Sequence, residues 1–201
     1  ATMEVTFTNS WYDPTLEKEG AIKLINNGCV VLSEHADSMG APTECESRGV
    51  PFVFYNGSAE TDCPNTFIVS SRIDWEPYYE YAITAAANGE AIDTDWTGTI
   101  ATGSVVLTDV NEQAAAAGTV EAIADAKAKL ENGEIKVFNT AAEGFITVGG
   151  AKLDSYLADV DTDAAYAKDT EVVSEGYFHE SEYRSAPYFD MFIDGITNLD
   201  A

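Results

Sequence analysis

Four short clusters in this sequence hold the side chains that could do chemistry. They are Asn9-Ser10-Trp11, Glu34-His35-Ala36-Asp37-Ser38, Asn56-Gly57-Ser58 and Ser70-Ser71-Arg72-Ile73-Asp74-Trp75. The first, second and fourth mix an aromatic or imidazole ring with short hydrogen-bonding groups. Rings that stack and polar groups that read an edge suit the binding of a flat, polar small molecule. They do not suit bond-making. No GxSxG, HExxH or P-loop pattern occurs. There are two histidines, and none of the three cysteines lies in a partnered Cys-His motif. The expectation is a binding protein rather than an enzyme, with no cofactor.

A metal site is not expected either. No CxxC pair exists, and no third ligand follows His35 and Asp37 at a regular spacing. His179, in Phe178-His179-Glu180-Ser181-Glu182, reads as part of a solvated acidic tail rather than as a metal ligand. Cys29 lies in the apolar run 29–32 and reads as a small buried hydrophobe. Cys45 and Cys63 would pair only in an oxidising compartment, and three cysteines leave that open.

Composition narrows the partners. Acidic residues outnumber basic ones 35 to 10, giving a formal net charge of −25. Such a surface repels phosphate backbones and anionic headgroups, which argues against nucleic acid and peripheral membrane contact. Hydrophobic residues at 45% and 201 positions suffice for a packed core. No run is long and apolar enough to span a membrane. Residues 1–7 enter a strand pattern directly, with no signal peptide, so the expectation is that a segment precedes them.

The elements that must position the clusters follow from periodicity. Residues 4–9 alternate as a strand. Asp13 caps a helix over 15–27, with Pro14 in its first turn and Gly28 at its end. A strand at 30–32, a helix at 41–47 ending at Gly49, strands at 50–55 and 66–69, and a helix at 75–88 ending at Gly89 complete the first part. Asp74 is the expected cap of that last helix. Strands alternating with helices argue for a parallel sheet with helices on both faces, which binds ligands beyond the carboxyl ends of its strands. The four clusters fall at those ends. Further on come loop then strand over 96–107, an Ala-rich helix over 111–130, a strand at 135–138, and a hairpin over 145–153 with a Gly149-Gly150 turn. Residues 159–201 read as an extended acidic tail that packs by its rings.

The stretch from Asn9 to Glu19, the run Gly28–Ser38, the segment Gly49–Asn56 and Trp75-Glu76-Pro77-Tyr78-Tyr79 together resemble the basic membrane protein family of lipoproteins. The likeness fades into residues 132–138 and covers roughly two thirds of the chain. The resemblance implies an α/β fold, a three-layer lobe of the type I periplasmic-binding-protein class with a parallel sheet. It gives a ligand-binding lobe over 1–140, and a C-terminal hairpin and aromatic tail over 141–201. Family members have two lobes around an interlobe cleft. This chain resembles only the second, entered after that lobe's first strand and helix. A partner chain or a missing lobe would complete the cage, and the absent strand would leave a bare inner edge.

The resemblance also implies the function: an extracellular solute-binding component of an ABC importer, with a purine nucleoside or nucleobase as ligand. Its partners would be an ABC permease and, through a lipid anchor outside this chain, the membrane. The implied ligand-binding residues are Trp11, His35, Asp37, Asn56 and Trp75. Trp11 and Trp75 would stack on a ring, although Trp11 would serve equally as a core residue. His35 would stack on or hydrogen-bond a base; otherwise it and Asp37 bond each other and the backbone. Asn56 stands where many members have an aspartate resembling a ribose clamp; its other reading is an Asn-Gly turn. The rival readings are a ligand-sensing regulatory module of the same fold, a nucleoside hydrolase, and a stable fragment that binds nothing.

Overall fold

The computed structural model describes residues 2–141, 146–161, 163–184 and 187–200. Its elements in chain order are β1 (Met3–Val5), α1 (Pro14–Asn26), β2 (Leu32–Ser33), α2 (Gly40–Arg48), β3 (Phe52–Tyr55), β4 (Phe67–Ile73), α3 (Glu76–Asn88), β5 (Val105–Leu107) and α4 (Thr119–Glu131). Short strands follow: β6 (Thr147–Val148), β7 (Ala151–Lys152), β8 (Leu157–Ala158), β9 (Thr170–Glu171), β10 (Val173–Ser174), β11 (Tyr177–Phe178) and β12 (Ile196–Asn198). The chain packs as two compact units. One comprises Ala1–Asp74, Val105–Lys127 and Ile196–Ala201, and the other Trp75–Ser104 and Ala128–Gly195.

The α/β reading with a parallel sheet holds. In the first unit β2, β3 and β4 run parallel, and β5 closes one edge antiparallel to β4. The expected local signals work. The Asp13 carboxylate accepts the N–H groups of Thr15 at 3.1 Å and Leu16 at 3.0 Å, so α1 begins with two of its unpaired donors satisfied. Gly49 ends α2 in the left-handed conformation, φ 68°, which a side chain would resist. The core gathers Ala21 of α1, Cys45 of α2 and Leu32, Phe52 and Phe67 of the sheet. Cys45 and Cys63 are both buried in it as free thiols; burial pushes them up to about 12 and about 11. No disulfide joins them.

Helices α1 and α2 meet closely. Glu44, buried at their contact, takes Nε of Arg48 at 2.5 Å and Nζ of Lys18 at 3.5 Å. The Arg48 guanidinium holds the Glu44 carboxyl below its ordinary range. Gly40 lies against the start of α1, where an added Cβ would come within 2.4 Å of the Pro14 carbonyl oxygen.

Several expected elements are corrected. The strand expected at 30–32 forms at Leu32–Ser33, because pairing starts where the Leu32 N–H reaches the Pro51 carbonyl; Val30 and Val31 are exposed. The helix expected from 111 begins at Thr119. The buried Asn111 side chain instead donates to the Pro64 and Phe67 carbonyls, both at 2.9 Å, and builds a turn. No strand forms at 135–138: Ile135 N–H bonds back to Lys129 and Val137 is exposed. Strand β1 does not join the four-stranded sheet; it pairs in parallel with β12.

The second unit contains α3 and three two-stranded hairpins, β6–β7, β8–β9 and β10–β11. The Gly149-Gly150 turn forms with both φ angles positive, and the Asp194 carboxylate accepts both glycine N–H groups. The expected hairpin's first residue, Phe145, lies outside the described residues. The tail is less extended than expected, since β9 pairs back with β8, just before it, and β10 pairs with β11 within it. It does pack by its rings: Phe178 lies within 5.5–6.2 Å, centre to centre, of Phe138, Tyr156, Tyr188 and Phe189. His179 is no solvated tail residue. It is 6% exposed, with Nδ1 at 2.6 Å from Glu182 and Nε2 at 2.9 Å from Ser174 Oγ.

Because Gly40 leaves no room for a methyl group at the α1–α2 contact, Gly40→Ala is expected to destabilise the protein by about 1–3 kcal/mol. Urea unfolding of the two proteins measures this, and equal midpoints would show that the contact is not tight.

Candidate functional site

The first unit's site is built from the carboxyl ends of its parallel strands. Chain leaving β2 carries Glu34, His35 and Asp37. Chain leaving β3 carries Asn56 next to Tyr55. Trp11 follows β1 and precedes the cap of α1. The Asp37 N–H donates to the Trp11 carbonyl at 2.8 Å, which joins the first loop to the second. The His35 ring lies 5.3 Å from that of Tyr55 at an interplanar angle of 57°, which joins the second loop to the third. Four of the five residues expected at the site, Trp11, His35, Asp37 and Asn56, thus sit on neighbouring connected loops.

Their availability differs. Trp11 is 76% exposed and takes no part in the core. An indole left in water at a strand end offers a stacking face. His35 and Asp37 are exposed as well. Asn56 adopts a left-handed conformation, φ 60°. Its N–H donates to the Ser71 carbonyl at 2.7 Å, and its Oδ1 accepts the Ile73 N–H at 3.1 Å. One lone pair of the side-chain oxygen is therefore engaged on β4, and the NH2 is the donor it can offer to a ligand. Trp75, the fifth residue, belongs to the second unit. It is 56% exposed and stacks on Tyr79, with centroids 6.2 Å apart at 28°. It occupies the cap position of α3 itself; Asp74, the expected cap, pairs with Arg72 at 3.3 Å.

Two further residues of the site were not foreseen. Tyr55 could have been read from the apolar run 52–55, which ends in a phenol beside Asn56. Glu34 gave no signal, because its role comes from burial. Its Oε1 is enclosed and has no hydrogen-bond partner in the structure. Burial first, then the charges of Glu17 and Asp37, push its carboxyl up from the ordinary 4.5 to about 8. Below His35 and Trp11 lies a cavity of about 570 Å³, which Glu34 also lines. Among the described residues no group of three His, Cys, Asp or Glu side chains could hold a metal.

Residues 1–140 match the family described as ABC transporter substrate-binding protein PnrA-like. A Haloferax volcanii protein named for ABC transport and glucose binding, TsgA13, is 29% identical over 99 residues, 49% of this chain and 25% of that protein. A purine-binding protein of Brucella abortus is 29% identical over 87 residues, 43% of this chain and 25% of that one. The chain thus spans about a quarter of the length of these curated relatives. A solved ABC transporter solute-binding protein from Conexibacter woesei superposes with a TM-score of 0.52 at 20% identity, over 65% of this chain and 44% of its own. That likeness establishes the periplasmic-binding-type fold.

Glu34 yields a pH prediction. The unfolded chain loses this proton near 4.5, while the folded protein keeps it up to about 8. Its contribution to stability is therefore greatest below that window and declines as pH rises through it. The melting temperature of Glu34→Gln is expected to change less between pH 5 and 8 than that of the unsubstituted protein. Parallel melting curves across that range would contradict the burial of an uncompensated acid.

Proposed function

The chain belongs to the Bmp family of PnrA-like ABC transporter substrate-binding proteins, and on that footing we propose that it captures a purine nucleoside or nucleobase for import. The observation that carries this reading is the ring arrangement: an exposed indole, Trp11, one loop away from the His35–Tyr55 pair at the ends of parallel strands. A flat base stacks on such rings, and each stacking contact contributes roughly 1–3 kcal/mol. His35 and the Asn56 NH2 supply donors for a base edge or a ribose oxygen, and Asp37 supplies an acceptor. The purine-binding relative supports this ligand class. The net charge of −25 favours a neutral nucleoside over a phosphorylated one, because an anion would be repelled.

In this reading the protein acts outside the cell, held to the membrane by a lipid anchor beyond these residues, and hands its ligand to an ABC permease. It makes and breaks no covalent bond. Capture proceeds by closure of two lobes over the ligand, with polypeptide beyond this chain supplying the other lobe. A sugar is the second candidate, because one relative is named for glucose and sugars also lie on indole faces. The base is preferred for its fit to several rings at once.

Calorimetric titration and thermal shift with adenosine, guanosine, adenine and glucose decide between them. A purine is expected to raise the melting temperature in proportion to ligand excess over Kd, and glucose to leave it unchanged. Trp11→Ala and Trp75→Ala are each expected to weaken purine binding at least about tenfold, the loss of one good stacking contact. Unchanged affinity in either variant removes that tryptophan from the site. A response to glucose alone overturns the purine assignment.

A further inference from the structure

We propose that Ser174, His179 and Glu182 of the second unit form a nucleophile, its base and the group that orients the base, and that the protein hydrolyses small, uncharged acyl esters there. These residues lie beyond the family match at 1–140. The chemistry is separate from solute capture, which changes no covalent bond, and does not depend on the ligand assigned above.

The hairpin β10–β11 brings the three residues together. Val173 pairs with Phe178 and Ser174 with Tyr177, which leaves Glu175-Gly176 as a two-residue turn. Both turn residues are left-handed, φ 52° and 85°, as a hairpin turn of this length prefers. Side chains alternate along a strand, so Ser174, Tyr177 and, one step beyond β11, His179 share a face. Opposite and diagonal neighbours on such a face can touch. The His179 N–H donates to the Val172 carbonyl at 3.0 Å, which continues the pairing and fixes the backbone under the imidazole. Val172, Val173 and Phe178 are anchored in the second unit's core.

The distances assign each group its part. His179 Nδ1 lies 2.6 Å from Glu182 Oε2, and Nε2 lies 2.9 Å from Ser174 Oγ. A carboxylate only accepts, so Nδ1 carries the proton and Nε2 is left to accept from the serine hydroxyl. These two contacts activate a serine: a base on the hydroxyl, and a carboxylate that holds the base in the productive tautomer. Glu182 is itself held by the Tyr177 hydroxyl at 3.1 Å. Burial acts to raise the Glu182 carboxyl, but the bonds from His179 and Tyr177 outweigh it and keep the group below its ordinary range, hence charged. The Tyr177 ring lies against the imidazole, with centroids 3.8 Å apart at 31°, and limits its rotation. His179 is buried while Ser174 is exposed, so the base is shielded and the nucleophile can be reached.

In the reaction, Ser174 Oγ bonds to the ester carbonyl carbon as its proton passes to His179 Nε2, and the carbonyl π pair moves onto oxygen. When that pair returns, the bond to the alcohol oxygen breaks and the alcohol leaves with the proton from Nε2. Water repeats the sequence on the acyl-serine, releasing the carboxylic acid and restoring the Ser174 proton. While Nε2 is protonated, the Ser174 carbonyl at 3.3 Å is a second acceptor for it. The ladder closes at the Ser174–Tyr177 pair, and the N–H groups of Glu175 and Gly176 take no partner among the described residues. They are the donors available to the developing oxyanion. The Tyr183 ring, exposed and 5.9 Å from that of His179, offers an apolar surface for the substrate's hydrocarbon part. The acidic surface disfavours an anionic ester.

The test uses the 201-residue protein with two probes, 4-nitrophenyl acetate for turnover and a fluorophosphonate for covalent labelling. Release of 4-nitrophenolate is expected, with the label found by peptide mapping on Ser174. Ser174→Ala and His179→Gln should each lower turnover at least about a hundredfold, the size of general-base catalysis. Glu182 is a positioning residue. Glu182→Gln should lower kcat with little change in KM, and Glu182→Asp should restore part of it. Ser174→Ala changes an exposed side chain and should keep the native melting temperature, so should His179→Gln fail to fold, Ser174→Ala and the labelling decide by themselves. Unchanged turnover in Ser174→Ala, no labelling, or labelling at another residue would overturn the proposal.

Discussion

The Glu17 carboxylate is the fixed point from which the first unit's loops are hung. It is 3% exposed, inside α1. One oxygen accepts the Asp13 N–H at 2.8 Å; the other accepts the Ser38 hydroxyl. Ser38 Oγ in turn accepts the Gly40 N–H at 3.1 Å, at the start of α2. One side chain thus links the entry to α1, the loop after β2 and the entry to α2. A carboxylate buried without such partners would cost several kcal/mol, so its burial and its bonds stand or fall together. Trp11 lies two residues before Asp13, and His35 and Asp37 lie just before Ser38. The geometry of the candidate site is therefore set by this bond network. Gly40 belongs to the same arrangement, since α2 can approach closely enough for Ser38 to reach Glu17 only where no Cβ intervenes.

The same hub explains the electrostatics above it. Glu17 takes a donor on each oxygen, from Asp13 and Ser38. Glu34 is then a second acid in the same partly enclosed space, with Asp37 nearby, and is driven toward its neutral form. A neutral carboxylic acid can donate a hydrogen bond where a carboxylate cannot. The floor of the site is thus able to offer a proton near neutral pH, although the chain as a whole is strongly acidic.

What could be read from the sequence was what is decided within a few residues. Asp13 and Pro14 start a helix by themselves, Gly49 and Gly89 end helices by adopting left-handed angles, and Gly149-Gly150 turns a hairpin. The placement of Trp11, His35, Asp37 and Asn56 at strand ends followed from those elements. What could not be read depends on distant partners. Asn111 leaves the helical pattern because two carbonyls some 45 residues earlier need donors. Residues 135–138 carry strand-type side chains, but the chain meets β11 only at its end, where the Phe178 N–H donates to the Phe138 carbonyl and Asn139 forms a single bridge with Tyr177. His179 looked solvated among its acidic neighbours, yet folding of β10 onto β11 places Ser174 and Tyr177 around it. Glu34 is ordinary in sequence and becomes unusual only through burial.

Strand β1 shows how a distant pairing shapes the site. Its expected place was in the main sheet, but the C-terminal strand β12 takes one of its edges. Asp200 then ties that pairing to the rest of the unit: its carboxylate accepts from the Thr6 hydroxyl at 2.9 Å and the Phe7 N–H, and pairs with Lys23 of α1 at 2.9 Å. These are exposed contacts and individually weak, but they act on a strand of three residues whose other edge has no ladder. Tethered at its far side and followed by the fixed entry to α1, β1 is held away from β2 rather than collapsing onto it. The Thr6 methyl, placed 3.3 Å from where a Gly20 Cβ would stand, shows that α1 comes down on β1 closely at that point. Closing the cavity would therefore require α1 to move with β1, and α1 is pinned through Glu17 to the loops that carry the site. The open space and the ordered loops have one cause.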